Sequence, residues 1–291
     1  MSIKSNLSSE NILILGGEGL LGSSLNKFLT AKTSFNVIAL NKTDCNIIDS
    51  DEVISTINLY NPTVIINCAA YTNVDKAEEN KELAKNINSD SFYFLANLCL
   101  IKNIYLIQIS TASIFNSNIK KLISGTEIKN PVNHYSLTKM LAEKTCEYFL
   151  NQGAKILVLR TYWLYGGNKF DFNSFINNSI LNNKEIDIVS DQFGQPTSAN
   201  SLCEMILFGI EEKKVGFYPG TNSGIANRVE WALEICNILG MGHHLIKSIT
   251  SKNFNAPADR PFNTALSHTG LDFIGLEIPS WKTALIHFYS R

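Results

Sequence analysis

The sequence has no long apolar run, no cysteines at metal-binding spacing and almost no net charge, and each absence removes a class of function. No hydrophobic stretch approaches the ~20 residues that cross a bilayer. The opening segment, Met1 to Glu10, is polar and lacks the apolar centre of a signal peptide, so a cytoplasmic location is the expectation. Six cysteines (Cys45, Cys68, Cys99, Cys146, Cys203 and Cys236) are scattered with no CxxC and no Cys/His cluster, which argues against zinc and for reduced, mostly buried thiols. His243, His244, His268 and His287 show no ligand spacing, and no metal is expected. Lys and Arg number 25 against 26 Asp and Glu, a formal net charge of −1, so nothing suggests nucleic-acid or membrane-surface binding.

What is present is periodic. Short apolar runs at Ile12–Leu15, Val37–Leu40, Val64–Asn67, Tyr105–Ser110 and Ile156–Arg160 have the continuous hydrophobicity of parallel strands covered on both faces. Between them lie helical patterns at Leu20–Thr30, Asp51–Leu59, Lys81–Leu100 and Tyr135–Asn151. Asp49-Ser50-Asp51 and Asn61-Pro62 are helix boundaries. This alternation predicts an α/β fold with a Rossmann-like, doubly wound parallel sheet. After Arg160 the pattern loosens and asparagine and glycine become frequent, which reads as a loop-rich substrate region. A helix at Ala199–Glu212 and a strand at Gly216–Tyr218 return to the sheet. The expected organisation is a dinucleotide-binding core over 1–160, rejoined at about 198–220. A smaller mixed α/β substrate-binding lobe covers 161–197 and 221–291.

Directly after the first strand, Gly16, Gly19 and Gly22 form GxxGxxG at a helix start. Glycines there let the backbone turn tightly and approach a pyrophosphate, which the free N–H groups and dipole of the helix N-terminus favour. The second strand ends Leu40-Asn41-Lys42-Thr43, with no carboxylate for ribose hydroxyls before Asp44. Asn41 and Lys42 therefore face the adenosine side, and Lys42 suits a 2′-phosphate, so NADPH is the expected cofactor and NADH the alternative.

Tyr135 and Lys139 stand four apart in Tyr135-Ser136-Leu137-Thr138-Lys139, so on a helix they share a face. Free tyrosine, with a pKa of about 10, is a poor proton donor near neutrality. A neighbouring ammonium favours phenolate and is expected to lower that value. A hydroxyl from the strand end Ile109-Ser110-Thr111 would hold a substrate oxygen, with Thr111 preferred and Ser110 the alternative. His134 is read as a structural neighbour. The glycine turn, strand-end hydroxyls and Tyr/Lys pair, in that order, point to hydride transfer with a nicotinamide cofactor.

With these residues the chain resembles the extended short-chain dehydrogenase/reductases and, within them, the dTDP-4-dehydrorhamnose reductase family. The resemblance runs nearly end to end. It rests on Asn67-Cys68-Ala69-Ala70-Tyr71-Thr72-Asn73-Val74-Asp75-Lys76-Ala77-Glu78, on Pro131 to Tyr135 continuing to Lys139 and Glu143, and on Arg160-Thr161-Tyr162-Trp163-Leu164-Tyr165-Gly166. Asp191-Gln192-Phe193-Gly194-Gln195-Pro196-Thr197 and Arg260-Pro261 complete it. The resemblance implies a reductase of a nucleotide-linked 4-keto-6-deoxy sugar serving deoxysugar or polysaccharide synthesis. It implies catalytic roles for Thr111, Tyr135 and Lys139 and cofactor contacts from Gly16, Gly19, Leu20, Leu21, Cys68, Ala69, Ala70 and Tyr71. Trp163, Gln192 and Arg260 become substrate-side candidates, Arg260 suiting a diphosphate and Trp163 a sugar face. A homodimer is compatible with the sequence.

The chain departs from that family where Ser110-Thr111-Ala112-Ser113-Ile114-Phe115 replaces Ser-Thr-Asp-Tyr-Val-Phe, removing a carboxylate and a phenol. Tyr162 stands for a serine, Asn46 for an aspartate near the adenine, and Arg228 for the tryptophan that opens the cap helix. Lost polar contacts beside retained catalytic residues suggest a changed sugar substrate. The competing expectations are a nucleotide-sugar epimerase or dehydratase, and a non-catalytic dinucleotide-binding regulatory subunit.

Overall fold

The computed structural model describes residues 10–269 and 275–290. The reading of the opening segment, Glu10 apart, lies outside the described residues. The core alternates β1 (Asn11–Leu15), α1 (Leu20–Lys32), β2 (Asn36–Leu40), α2 (Ser50–Tyr60), β3 (Val64–Asn67), α3 (Val74–Glu79), α4 (Lys81–Lys85), α5 (Ser91–Ile101), β4 (Tyr105–Thr111), α6 (His134–Leu150) and β5 (Ile156–Thr161). Then come β6 (Leu164–Tyr165), α7 (Phe172–Leu181), β7 (Ile186–Val189), β8 (Phe193–Gly194), β9 (Thr197–Ser198), α8 (Ala199–Glu211) and β10 (Gly216–Pro219). The chain finishes with β11 (Ala226–Asn227), α9 (Arg228–Leu239), β12 (Ile246–Ile249) and α10 (Trp281–Tyr289).

Six of these strands form one parallel sheet in the order β10-β5-β4-β3-β1-β2. Its strands are covered on both faces, as their unbroken hydrophobicity requires. Leu13, Ile65, Leu106 and Val158 point to the face packed by α2, α5 and α6. Ile12, Ile14, Ile66, Ile107 and Leu159 point to the face packed by α1 and α8. The chain leaves β1 for β2 on one side and later returns to β3 on the other. The crevice beyond the carboxyl ends of β1 and β3 is therefore the topological switch point, where such sheets take their ligands.

Two expectations need correction. The stretch Lys81–Leu100 is not one helix, because α4 and α5 are joined by a π-helical turn at Asn86–Asp90. Helical periodicity alone does not register one extra residue per turn. The wider turn brings buried Asn88 inward, where its side chain accepts from the Tyr71 N–H at 2.8 Å and donates to Thr138 Oγ1 on α6 at 2.9 Å. Nor is the region after Arg160 loop-like throughout. Asp171 caps α7 by accepting from the Ser174 N–H, and Ile176 and Ile180 bury into a core shared with Trp163, Tyr165, Ile188, Trp231 and Leu285. Asn173, Asn177 and Asn178, which suggested loop, lie on that helix, and Asn182 is its C-cap. Among the described residues, no helix is long and apolar enough to cross a membrane.

The sheet and α6 are joined through one fully buried carboxylate. Glu143 accepts from Ser110 Oγ at 2.6 Å and from Arg160 Nε and Nη2 at 3.0 and 2.9 Å, with Lys129 Nζ at 3.1 Å. Arg160 also donates to the Gly125 carbonyl at 2.8 Å and lies between the rings of Phe115 and Phe217. Removing one member strands a desolvated opposite charge, at a cost of about 3–5 kcal/mol. Glu143→Ala is expected to lower stability by that amount in urea denaturation; a loss under 1 kcal/mol, the scale of an exposed pair, would contradict it.

Candidate active site

The glycine turn lies against the end of β3. Gly16 has φ of +78°, and a Cβ there would sit 2.7 Å from the Ala69 nitrogen. A Cβ on Gly22 would sit 2.2 Å from the Gly16 carbonyl oxygen. Only glycine allows the turn, the first turn of α1 and the Cys68–Ala70 loop to approach so closely. Gly19 is the N-cap of α1 and no side chain caps the helix, while Ser23 and Ser24 donate back to carbonyls. The first-turn N–H groups are thus left for a ligand, with no acid in that turn to repel phosphate. These features fit a dinucleotide pyrophosphate.

They open into a cavity of about 770 Å³. Of the cofactor candidates, Gly16, Gly19, Leu20, Leu21, Asn41, Lys42, Cys68, Ala69 and Ala70 line it. Tyr71 does not: its hydroxyl turns toward the Lys76 carbonyl and its backbone is held by Asn88. At the end of β2, Asp44 accepts the Asn41 N–H at 2.9 Å, and the Asn41 side chain donates to Glu18 at 2.9 Å. Lys42 is left without an ion pair among the described residues. Lys169 and Phe170 also line this cavity, from the segment between β6 and α7. They were not legible in the sequence, because they lie some 150 residues from the glycine turn they face.

Thr111, Tyr135, Lys139 and Trp163 line the same cavity. Three successive β4 residues produce this placement. Ile109 offers its carbonyl to Lys139 Nζ at 2.7 Å, Ser110 turns inward to Glu143, and Thr111 turns into the cavity. Asn133 caps α6 through the Ser136 N–H and donates its amide to the Asp259 carbonyl, both at 2.8 Å, tying the helix start to the lobe. His134 is structural: its N–H donates to Glu78 and its ring meets the Lys81 carbonyl at 2.9 Å. Where the resembled family carries a carboxylate and a phenol, this chain has buried Ala112 and a hydroxyl chain. Thr111 Oγ1 meets Ser113 Oγ at 2.9 Å, and Ser113 Oγ meets Ser136 Oγ at 2.8 Å.

The electrostatics differ from the sequence expectation. Burial, then neighbouring Tyr162, pushes the Tyr135 phenol up to about 12, with a hydrogen bond to Thr111 opposing. Lys139 donates one of its three N–H groups to the Ile109 carbonyl at 2.7 Å. Burial pulls Lys139 down to about 8, against the pull of Cys146, Glu143 and Cys68. A raised phenol stays protonated near neutrality, as a proton donor requires.

Trp163 holds φ of +48°, a rare conformation for a bulky residue, and its carbonyl accepts the Thr197 N–H at 3.1 Å. Its ring lies between Tyr162 and Trp231, at 5.9 and 6.0 Å between centroids. The other substrate-side candidates, Gln192 and Arg260, line a second cavity of about 600 Å³ with Arg228, Asp75 and Lys252. Most of the Asp191–Thr197 motif proves architectural. Asp191 accepts from the backbone and hydroxyl of Ser251, and buried Gln195 joins Leu266 and Thr221.

The whole described chain matches a known family. The model of the RmlD substrate binding domain matches residues 10–291. A dTDP-4-dehydrorhamnose reductase of Mycolicibacterium smegmatis is 32% identical, over 95% of this chain and 84% of the relative. A dTDP-4-keto-6-deoxy-D-glucose reductase of Streptomyces niveus is 29% identical, over 94% of each. The crystal structure of a dTDP-4-dehydrorhamnose reductase from Bacillus anthracis in complex with NADP superposes with a TM-score of 0.91 at 28% identity, covering 97% of this chain and 99% of that one. The chain belongs to the RmlD substrate binding domain family.

If the glycine turn holds the dinucleotide, Gly22→Ala should weaken NADPH binding by about 1–3 kcal/mol, the usual cost of overpacking. Fluorescence titration checks this; unchanged affinity would place the cofactor elsewhere.

Proposed function

From that membership, we propose that this protein is an NADPH-dependent reductase of a nucleotide-linked 4-keto-6-deoxy sugar, acting in deoxysugar or polysaccharide biosynthesis. The observation that carries the reading is the convergence of the glycine turn, Thr111, Tyr135 and Lys139 on one cavity at the switch point of the sheet. The relatives' named activities, and the NADP held by the Bacillus anthracis enzyme, support the substrate class and the cofactor. A cytoplasmic location and a homodimer go with this reading.

When bound, the cofactor supplies the hydride. The glycine turn and the first turn of α1 would hold its pyrophosphate, and Lys42 its 2′-phosphate. Thr111 holds the ketone oxygen beside Tyr135. Tyr135 delivers its proton to that oxygen as charge develops there. Lys139, cationic below about pH 8, stabilises the phenolate left behind. The Ser113 and Ser136 hydroxyls fix Thr111's rotamer from below.

Two outcomes test this. Tyr135→Phe should lose at least ~100-fold in turnover of a dTDP-4-keto-6-deoxy sugar while binding NADPH normally. A variant as active as the parent would remove Tyr135 as the proton donor, and a parent that binds NADPH but turns over no such sugar would leave the regulatory-subunit reading in its place.

The pH dependence is specific. A lysine held down to about 8 loses its charge as pH rises through that value, whereas a phenol near 12 is still protonated there. The kcat for reduction should therefore fall above about pH 8, and Lys139→Met should be uniformly slow without that decline. A wild-type profile flat to about pH 10 would remove this role for Lys139.

A further inference from the structure

Arg228 is a partly buried charge that lines the second cavity. It is the first residue of α9, where the helix dipole is positive and opposes a cation. It is half-buried, and burial, together with nearby Arg260, disfavours its charged form. No carboxylate pairs with it among the described residues. Glu230, in its own first turn, accepts the Asn227 N–H as part of the α9 cap and lies near Lys120. Asp75 is bound to Arg260. Asp187 and Asp259 line the same cavity, and neither forms an ion pair with Arg228. Its visible compensation is aromatic: the guanidinium lies 4.6 Å from the ring centre of Trp163 and 5.4 Å from that of Phe172.

Arg260, which the sequence suggested for a diphosphate, is committed differently. Its Nη2 donates to Asp75 Oδ2 at 2.9 Å and its Nη1 to the Ala258 carbonyl at 2.6 Å. Its charge is largely matched by Asp75, and two of its three nitrogens are in use. Arg228 retains both its charge and its planar fork of donors, which suits two phosphoryl oxygens. Its position is also right. Trp163, beneath Arg228, lines the catalytic cavity, whereas Arg228 lines the second one. Tyr162 couples electrostatically to Tyr135 on one side and to Arg228 on the other. Trp163 therefore touches both the cavity that holds Tyr135 and the guanidinium of Arg228.

We propose that Arg228, rather than Arg260, is the residue that grips the diphosphate of the nucleotide sugar, and that Trp163 holds its guanidinium flat against the entrance to the catalytic cavity. Arg260 acts as a positioning residue that joins Asp75 to the 258–260 segment. The proposal rests on the reductase reading for the sugar, but not for the diphosphate.

The test is calorimetric titration of dTDP and of thymidine into protein saturated with NADPH, so that the glycine turn cannot capture phosphate. Arg228→Met should weaken dTDP binding about 10–100-fold, the scale of a charge-assisted hydrogen bond, and leave thymidine and NADPH unchanged. If the methionine variant fails to bind NADPH, Arg228→Gln carries the same test with the same threshold. Unchanged dTDP affinity, equal losses for dTDP and thymidine, or no dTDP binding by the parent protein would each overturn the proposal. Turnover of the keto sugar separates the two readings. A parent enzyme that turns over, beside a variant with full dTDP affinity, sinks the role of Arg228 alone. Arg228-dependent dTDP binding without turnover sinks the reductase reading alone.

Discussion

The buried Glu143 carboxylate is the contact on which the site's geometry rests. It is fully enclosed, and three partners from β4, β5 and the segment before α6 converge on it. A charge taken this far from water is tolerated only when its lone pairs are met. That requirement sets how α6 lies along the sheet. One helical turn away, Lys139 reaches the Ile109 carbonyl, and two residues further along β4 Thr111 faces Tyr135's cavity. The pleat of β4 and the pitch of α6 thus bring the catalytic groups together because Ser110 and Glu143 are already joined.

The second constraint is topological. With β2 on one side of β1 and β3 on the other, the crevice between their ends is open to the glycine turn and the Cys68–Ala70 loop. Thr161 to Leu164, with Lys169 and Phe170, line the same crevice. The Tyr162–Trp163–Trp231 stack and the unusual backbone of Trp163 place an aromatic wall between the two cavities. A cofactor on the core side and a nucleotide sugar on the lobe side would meet at Tyr135.

The departures from the resembled family have a common physical direction. A carboxylate and a phenol are replaced by buried Ala112 and by a hydroxyl chain beneath Thr111, while an arginine opens α9. Both changes remove negative charge or add positive charge near the proposed substrate. The proton donor is little affected by them, since burial dominates the Tyr135 phenol.

Much of this was written in local pattern. Short apolar runs rich in β-branched residues and spaced between helical patterns fit strands buried on both faces, so the parallel sheet followed from them. GxxGxxG behind a strand and Tyr/Lys at helical spacing are local motifs whose chemistry follows from their own geometry. Those residues do converge, and the departures at Ala112, Ser113 and Arg228 were visible as letters. Other features depended on contacts between distant segments. The π turn that aims Asn88, the helix hidden among asparagines at Phe172–Leu181, and the Lys169–Phe170 segment facing the glycine turn are examples. So is the assignment of Tyr71, Gln192 and Arg260 away from the catalytic cavity. Charge shows the same division. A sequence reports that Lys139 and Arg260 are cations, but only the fold shows that one donates to a carbonyl and the other pairs with Asp75, while Arg228 has no acidic partner among the described residues. Local propensity and spacing are properties of neighbours along the chain, whereas burial and pairing are properties of neighbours in space.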